Sequence, residues 1–147
     1  MFLEPKALAT KVVDQMYEHD AFSQWLGIRR VSEGPGSSVL QLTVRPEMLN
    51  GFHILHGGIT YSLADSALAF AANSPGRRAV SVETSISHLE PCHAGDVLTA
   101  TTQEQSRSNK IAIYHVTITN QKGTKVALFK GTVYRTAKPW FPEEKTS

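Results

Sequence analysis

Leu8, Val12 and Met16 recur at four-residue spacing with Tyr17 beside them, and Pro5 stands where a first helical turn tolerates proline. The spacing predicts an amphipathic helix running to about Glu18. Phe22, Trp25 and Leu26 follow as an anchoring cluster. The period then changes at Ile28. EGPGSS is a turn signal, and Leu40, Leu42 and Val44 alternate along a strand that Pro46 ends. From Ile59 to Ala72 the chain is rich in Ala and Leu, which predicts a helix, and Asn73-Ser74-Pro75-Gly76 stops it. Beyond it Val80, Val82, Thr84 and Ile86 alternate with polar residues. Val97 to Gln105 and Ile111 to Thr119 flank a hairpin turn, SRSNK. Gln121-Lys122-Gly123 makes a second turn before a last strand, Val126 to Arg135.

The second helix is unusual in its pattern. From Leu49 to Ser74 the one charged residue is Asp65, with histidine taken as neutral. A helix that is apolar on nearly every side must be wrapped by other elements. The strands supply an antiparallel sheet that can curl around it, an α+β architecture. The expected organisation is an N-terminal helical extension (1–21), one domain (22–136) and a loose tail (137–147).

Composition narrows the function. Hydrophobic residues make up 41% and charged residues 19% of the 147, as in a folded globular domain. The formal charge is +2 and no dense basic patch stands out, so nucleic acid is not an expected partner. No apolar run is long enough to span a bilayer, and the first residues lack a signal-peptide core. With Cys92 the single cysteine, no intrachain disulfide forms, and the cytoplasm is the expected compartment.

Asp65 admits two readings. It marks a wet stripe with Ser62, Ser66 and Asn73, or it is a carboxylate held in a partly apolar cleft, where desolvation makes it a better base. Eight residues earlier, Gly57 and Gly58 open the helix. The first N–H groups of a helix lack internal partners and carry partial positive charge, so they suit a developing oxyanion. His53 and His56 are three apart without an acidic or cysteine partner at ligand spacing, so no metal is expected. Cys92 beside His93 reads as a turn cysteine.

The constellation of Asn50, His56-Gly57-Gly58 and Leu63-Ala64-Asp65, ending in AFAANS, resembles the hot-dog-fold acyl-coenzyme A thioesterases. More narrowly it is similar to their PaaI group, which acts on phenylacetyl-coenzyme A. LEPCHAGDVLTATTQEQSRSN, the NQKG turn and VALFKGTVYR fit the same group, and the resemblance spans roughly Phe22 to Arg135. It implies a long central helix wrapped by an antiparallel sheet, and hydrolysis of (hydroxy)phenylacetyl-coenzyme A or a related aryl or medium acyl thioester. It implies no cofactor beyond the coenzyme A of the substrate.

The resemblance also implies roles. Gly57 donates its N–H to the thioester carbonyl, Asp65 attacks or activates water, Asn50 positions water or acyl group, and His56 orients the loop. It places the site between two subunits of a homodimer, itself part of a homotetramer. Related enzymes often carry a water-holding hydroxyl one turn after the aspartate, where this chain has Ala69, and Ser81 is the substitute expected here. Gly58 and Phe52 are expected at the substrate. Arg107, Ser108, Asn109 and Lys110 at the hairpin tip are candidates for the coenzyme phosphates, as are Arg77 and Arg78. Two other activities stay open on this fold: a hydratase or dehydratase using His56, and an acyl-coenzyme A sensor without catalysis.

Overall fold

The computed structural model describes residues 3–142. Helix α1 (Pro5–Glu18) begins at Pro5 as predicted and buries Leu8, Ala9, Val12 and Val13. A second short helix, α2 (Ala21–Leu26), is capped by Asp20, whose Oδ1 accepts the Ser23 N–H at 3.0 Å. Gly27 ends it in the left-handed conformation, φ 77°. Of the expected anchoring cluster only Leu26 is buried. Phe22 and Trp25 stack on each other at 52% and 66% exposure, because α2 turns that face outward.

Six strands follow: β1 (Arg29–Gly34), β2 (Ser37–Thr43), β3 (Arg77–His88), β4 (Val97–Arg107), β5 (Ile111–Thr119) and β6 (Lys125–Pro139). They form one antiparallel sheet in the order β1-β2-β4-β5-β6-β3. Helix α3 (Gly57–Asn73) connects β2 to β3 and carries the chain across the sheet. The sheet covers one side of α3 and α1 another, where Tyr17 meets Phe70 edge to face. Leu40, Leu42 and Val44 of the predicted alternation are all buried. Leu63, Ala64, Ala67, Leu68, Phe70 and Ala71 of α3 share that core. This is the α+β hot-dog arrangement that the resemblance implied.

Two expectations are corrected here. The alternation Val80, Val82, Thr84, Ile86 does not mark one face of β3. A bulge between Ser81 and Glu83 inserts a residue and reverses the parity of the strand. Val80 and Val82 are therefore 58% and 60% exposed. Ala79 and Ile86 pack against the core, and Ser81 pairs with the buried Val133. The tail is also better held than expected. β6 runs on to Pro139, paired with Arg77, and the Trp140 N–H bonds the Gly76 carbonyl at 2.8 Å. Residues 143–147 of the expected loose tail lie outside the described residues.

Gly131 of β6 lies against α3 so closely that a Cβ there would stand 2.5 Å from Leu68 Cδ2 and 3.0 Å from its Cδ1. Leu68 is buried and has little room to move. Gly131→Val is expected to destabilise the fold by about 1–3 kcal/mol, read as a lower urea midpoint at unchanged slope. An unchanged midpoint would show that the helix and sheet are less closely packed than described.

Candidate active site

The loop entering α3 is built by Asn50. Its Oδ1 accepts the N–H groups of Phe52 at 2.9 Å and Ile54 at 3.4 Å, and its own N–H bonds the Ile54 carbonyl at 2.8 Å. His53 takes a left-handed φ of 60° to close the turn. The Leu55 N–H then bonds the Cys92 carbonyl, and the His56 N–H the Met48 carbonyl. His56 caps α3: its Nδ1 accepts the Gly58 N–H at 2.9 Å and its carbonyl accepts the Ile59 N–H at 3.0 Å.

That leaves Gly57. Among the described residues its N–H meets no acceptor, and it opens on a cavity of about 480 Å³ shared with Leu55, Thr60, His88, Glu90 and Cys92. The expected contact of Gly58 with substrate is corrected to this extent: its N–H already serves His56. A side chain at either position would press on a histidine ring, which would have to shift by a few tenths of an ångström. A Cβ on Gly57 would stand 3.0 Å from His88 Cε1, and one on Gly58 3.0 Å from His56 Nδ1. His88 enters from the end of β3 and carried no sequence signal, being remote in the chain from the glycines.

Asp65 lies two turns further on, about 12 Å along the helix axis. It lines a different cavity of about 400 Å³ with Ala69, Arg78, Ser81, Val133 and Trp140. Among the described residues nothing hydrogen-bonds its carboxylate. Burial raises its pKa above the ordinary 3.8, and the neighbouring Asp20 raises it further. The wet stripe ends short of Asn73, which is buried; Ser62, Asp65 and Ser66 are half-buried, and Ser66 Oγ bonds Ser23 Oγ at 2.8 Å. Ser81 shares the Asp65 cavity. Glu83 instead faces outward to Lys130 and Thr132.

Other candidates fall elsewhere. Phe52 is 84% exposed and lines neither cavity, so within one chain it is not a pocket wall. Leu63 is core, while Ile54 and Leu55 line the Gly57 cavity. Arg77 and Arg78 part company. Arg77 bonds Asn109 Oδ1 at 3.0 Å and also reaches the Asn109 carbonyl, whereas Arg78 lies in the Asp65 cavity over the Trp140 ring. The hairpin tip thus gathers Arg77, Arg107 and Arg135. Arg107 pairs with Glu104 at 3.1 Å, and Arg135 Nη1 bonds the Ser108 carbonyl at 2.8 Å. Ser108 closes the turn onto Ile111, and Lys110 is exposed. Cys92 is buried and its thiol is pushed up to about 11 by desolvation, with Asp96 adding to it. It is therefore a thiol at neutral pH, in keeping with a turn cysteine. Among the described residues no three His, Cys, Asp or Glu converge on a metal position, and no helix is long and apolar enough to cross a membrane.

One helix thus offers an unpaired N–H at its start and an unpaired carboxylate two turns later, each facing its own cavity in a hot-dog fold. The chain belongs to the thioesterase superfamily, whose family model matches residues 52–127; it is a thioester hydrolase. Within that class it is similar to acyl-coenzyme A thioesterase PaaI of Escherichia coli K12, 44% identical over 120 residues, covering 82% of this chain and 86% of the relative. The solved structure of the E. coli PaaI protein, from the phenylacetic acid degradation operon, superposes with a TM-score of 0.90 at 40% identity, over 92% of this chain and 99% of that one. A mutant of the phenylacetic acid degradation protein PaaI of Thermus thermophilus superposes at 0.77 with 37% identity, over 80% and 100%. A thioesterase-like protein of Streptococcus pneumoniae, solved with coenzyme A, superposes at 0.79 with 26% identity, over 85% and 98%.

A raised carboxylate pKa makes ionisation costly to the folded state. The stability this group contributes is complete below the ordinary aspartate range and is lost as pH rises through the elevated folded value. Asp65→Asn escapes that loss. Its melting temperature is expected to gain on the wild type as pH rises from the ordinary aspartate range through the elevated folded value, and to keep that gain above it. A gap that stays constant across that range would show that Asp65 is solvated like a surface aspartate.

Proposed function

We propose that the protein hydrolyses (hydroxy)phenylacetyl-coenzyme A and related aryl or medium-chain acyl-coenzyme A thioesters to free acid and coenzyme A. We place it in the cytoplasm as a homodimer within a homotetramer, each site combining Gly57 of one chain with Asp65 of the other. The observation that carries this reading is the separation of the two groups on α3: within one chain they cannot reach the same carbonyl. A second chain resolves it. β3 is an edge strand with Val80 and Val82 uncovered, and the loop before α3 holds Phe52 out to solvent. Two β3 edges joined about a two-fold axis would bury these apolar side chains and continue the sheet. The names of the E. coli and T. thermophilus relatives support the acyl group, and the pneumococcal complex supports coenzyme A as the leaving group.

The chemistry follows from the two groups. The Gly57 N–H, with the positive end of α3 behind it, takes the charge that builds on the carbonyl oxygen. Asp65 draws a proton from the attacking water, which Ser81 holds. The tetrahedral intermediate collapses with cleavage of the carbon–sulfur bond, and the proton passes to the departing thiolate. The alternative route has Asp65 attack directly, forming an anhydride and free thiolate before water enters. Label in Asp65 after one turnover in ¹⁸O water identifies an anhydride that water opens at the aspartyl carbonyl. Asn50 Oδ1 is committed to its loop, so Nδ2 is the group it offers to a substrate. The guanidinium-rich hairpin tip, with Arg107 and Lys110, is suited to the coenzyme phosphates.

Thiol release tests the reading. Asp65→Asn is expected to lower kcat on phenylacetyl-coenzyme A by about 100-fold or more with little change in KM. In the wild type the acid limb of kcat/KM is expected above the ordinary aspartate range. Asp20→Asn, which keeps the α2 cap, is expected to move that limb to lower pH. Turnover of Asp65→Asn close to wild type would remove Asp65 from the reaction.

The shared site has its own test. Gly57→Pro deletes the proposed oxyanion donor at a position where proline suits a helix, and His56 already has a compatible ψ of 132°. Gly57→Pro and Asp65→Asn proteins, each inactive alone, are expected to recover activity when unfolded and refolded together. In each mixed dimer one site keeps both native groups, so about a quarter of all sites are active. Mixed dimers confirmed by mass but still inactive would mean that each site is built within one chain.

A further inference from the structure

We propose that Trp140 is the end wall of the acyl pocket and sets how long an acyl group the enzyme accepts, an inference that rests on the assignment of Asp65 above. The cavity that holds Asp65 follows α3 toward its C-terminus, past Ala69 and Ala72, whose short side chains leave its floor open. Trp140 meets the helix at Asn73, eight residues beyond Asp65 and therefore about 12 Å along the axis. A group attached to a carbonyl at Asp65 and lying along this floor runs toward the indole.

The indole is fixed there. Its Nε1 donates to Asn73 Oδ1 at 2.9 Å, its backbone N–H to the Gly76 carbonyl at 2.8 Å, and the Arg78 guanidinium lies 4.1 Å from the ring centroid. Asn73 is itself buried and held: Nδ2 donates to the carbonyls of Ala69 and Ala79 at 2.9 and 3.1 Å, and Oδ1 also accepts the Ala79 N–H at 2.9 Å. Lys11 of α1 lies over the next ring, Phe141, at 4.1 Å. A wall tied to a helix end and a strand start, with its neighbour Phe141 under Lys11 of α1, cannot swing aside for a long chain. A flat aryl group matches a short pocket closed by an aromatic face.

The test compares kcat/KM for dodecanoyl- and phenylacetyl-coenzyme A in wild type, Trp140→Ala, Trp140→Phe and, as a control, Trp25→Phe. Removing the wall is expected to raise the dodecanoyl-to-phenylacetyl ratio by about tenfold or more in Trp140→Ala, with Trp140→Phe between it and the wild type and Trp25→Phe unchanged. A rise below about threefold in Trp140→Ala overturns the proposal. Should the alanine variant fail to fold, Trp140→Phe decides alone: a ratio equal to wild type overturns it and any reproducible rise supports it. Asp65→Asn assayed alongside keeps the two assignments apart. Its activity judges Asp65, while the ratio, measured with Asp65 intact, judges Trp140.

Discussion

Burial of α3 is the constraint on which the rest depends. A 17-residue helix with Leu63, Ala64, Ala67, Leu68, Phe70 and Ala71 in the core must have that wide apolar face covered, leaving only a half-buried stripe through Ser62, Asp65 and Ser66. The six strands curl over one side of it, and α1 with α2 closes another. Close approach depends on small residues at the contacts, with alanines on the helix and Gly131 on β6. The same smallness leaves the cavity at Asp65, where Ala69 and Ala72 form the floor and do not fill it.

Polar groups along this helix are nearly all matched, which gives the unmatched ones meaning. His56 satisfies Gly58 and Ile59, Ser62 bonds the Gly58 carbonyl, Ser66 meets Ser23, and Asn73 makes four hydrogen bonds at the far end. The Gly57 N–H and the Asp65 carboxylate are left over. Leaving a donor and a charge unpaired is costly to folding, and the proposed reaction uses both, one as oxyanion donor and the other as base. Asp20 has a part in this balance: while capping α2 it places a second negative charge near Asp65, making that carboxylate more basic.

The local signals of the chain were enough for its elements and for the centre of the site. Period and breakers marked α1, α3, β2 and β5 closely, because each is decided by neighbours a few residues apart. The lone aspartate in an apolar helix and the His-Gly-Gly before it marked the proposed reacting groups for the same reason: cap, glycine and carboxylate all belong to one short segment. Other features depended on contacts between distant segments. The bulge in β3 that turns Ser81 toward the helix and Val80 outward is set by its pairing with β6, and alternation along β3 alone suggested the opposite. Arg77 and Arg78 part at a second irregularity of the same strand, between Arg77 and Ala79, again set by the pairing with β6. Trp140 and His88 reach the helix only once β6 and β3 are laid down in register, and Phe52 is exposed because the Asn50 turn throws it outward. Sequence by itself determined the class of fold and the pair of groups proposed to react. Tertiary structure alone decided which cavity each group faces and what closes it, since a cavity is lined by residues that share no local pattern.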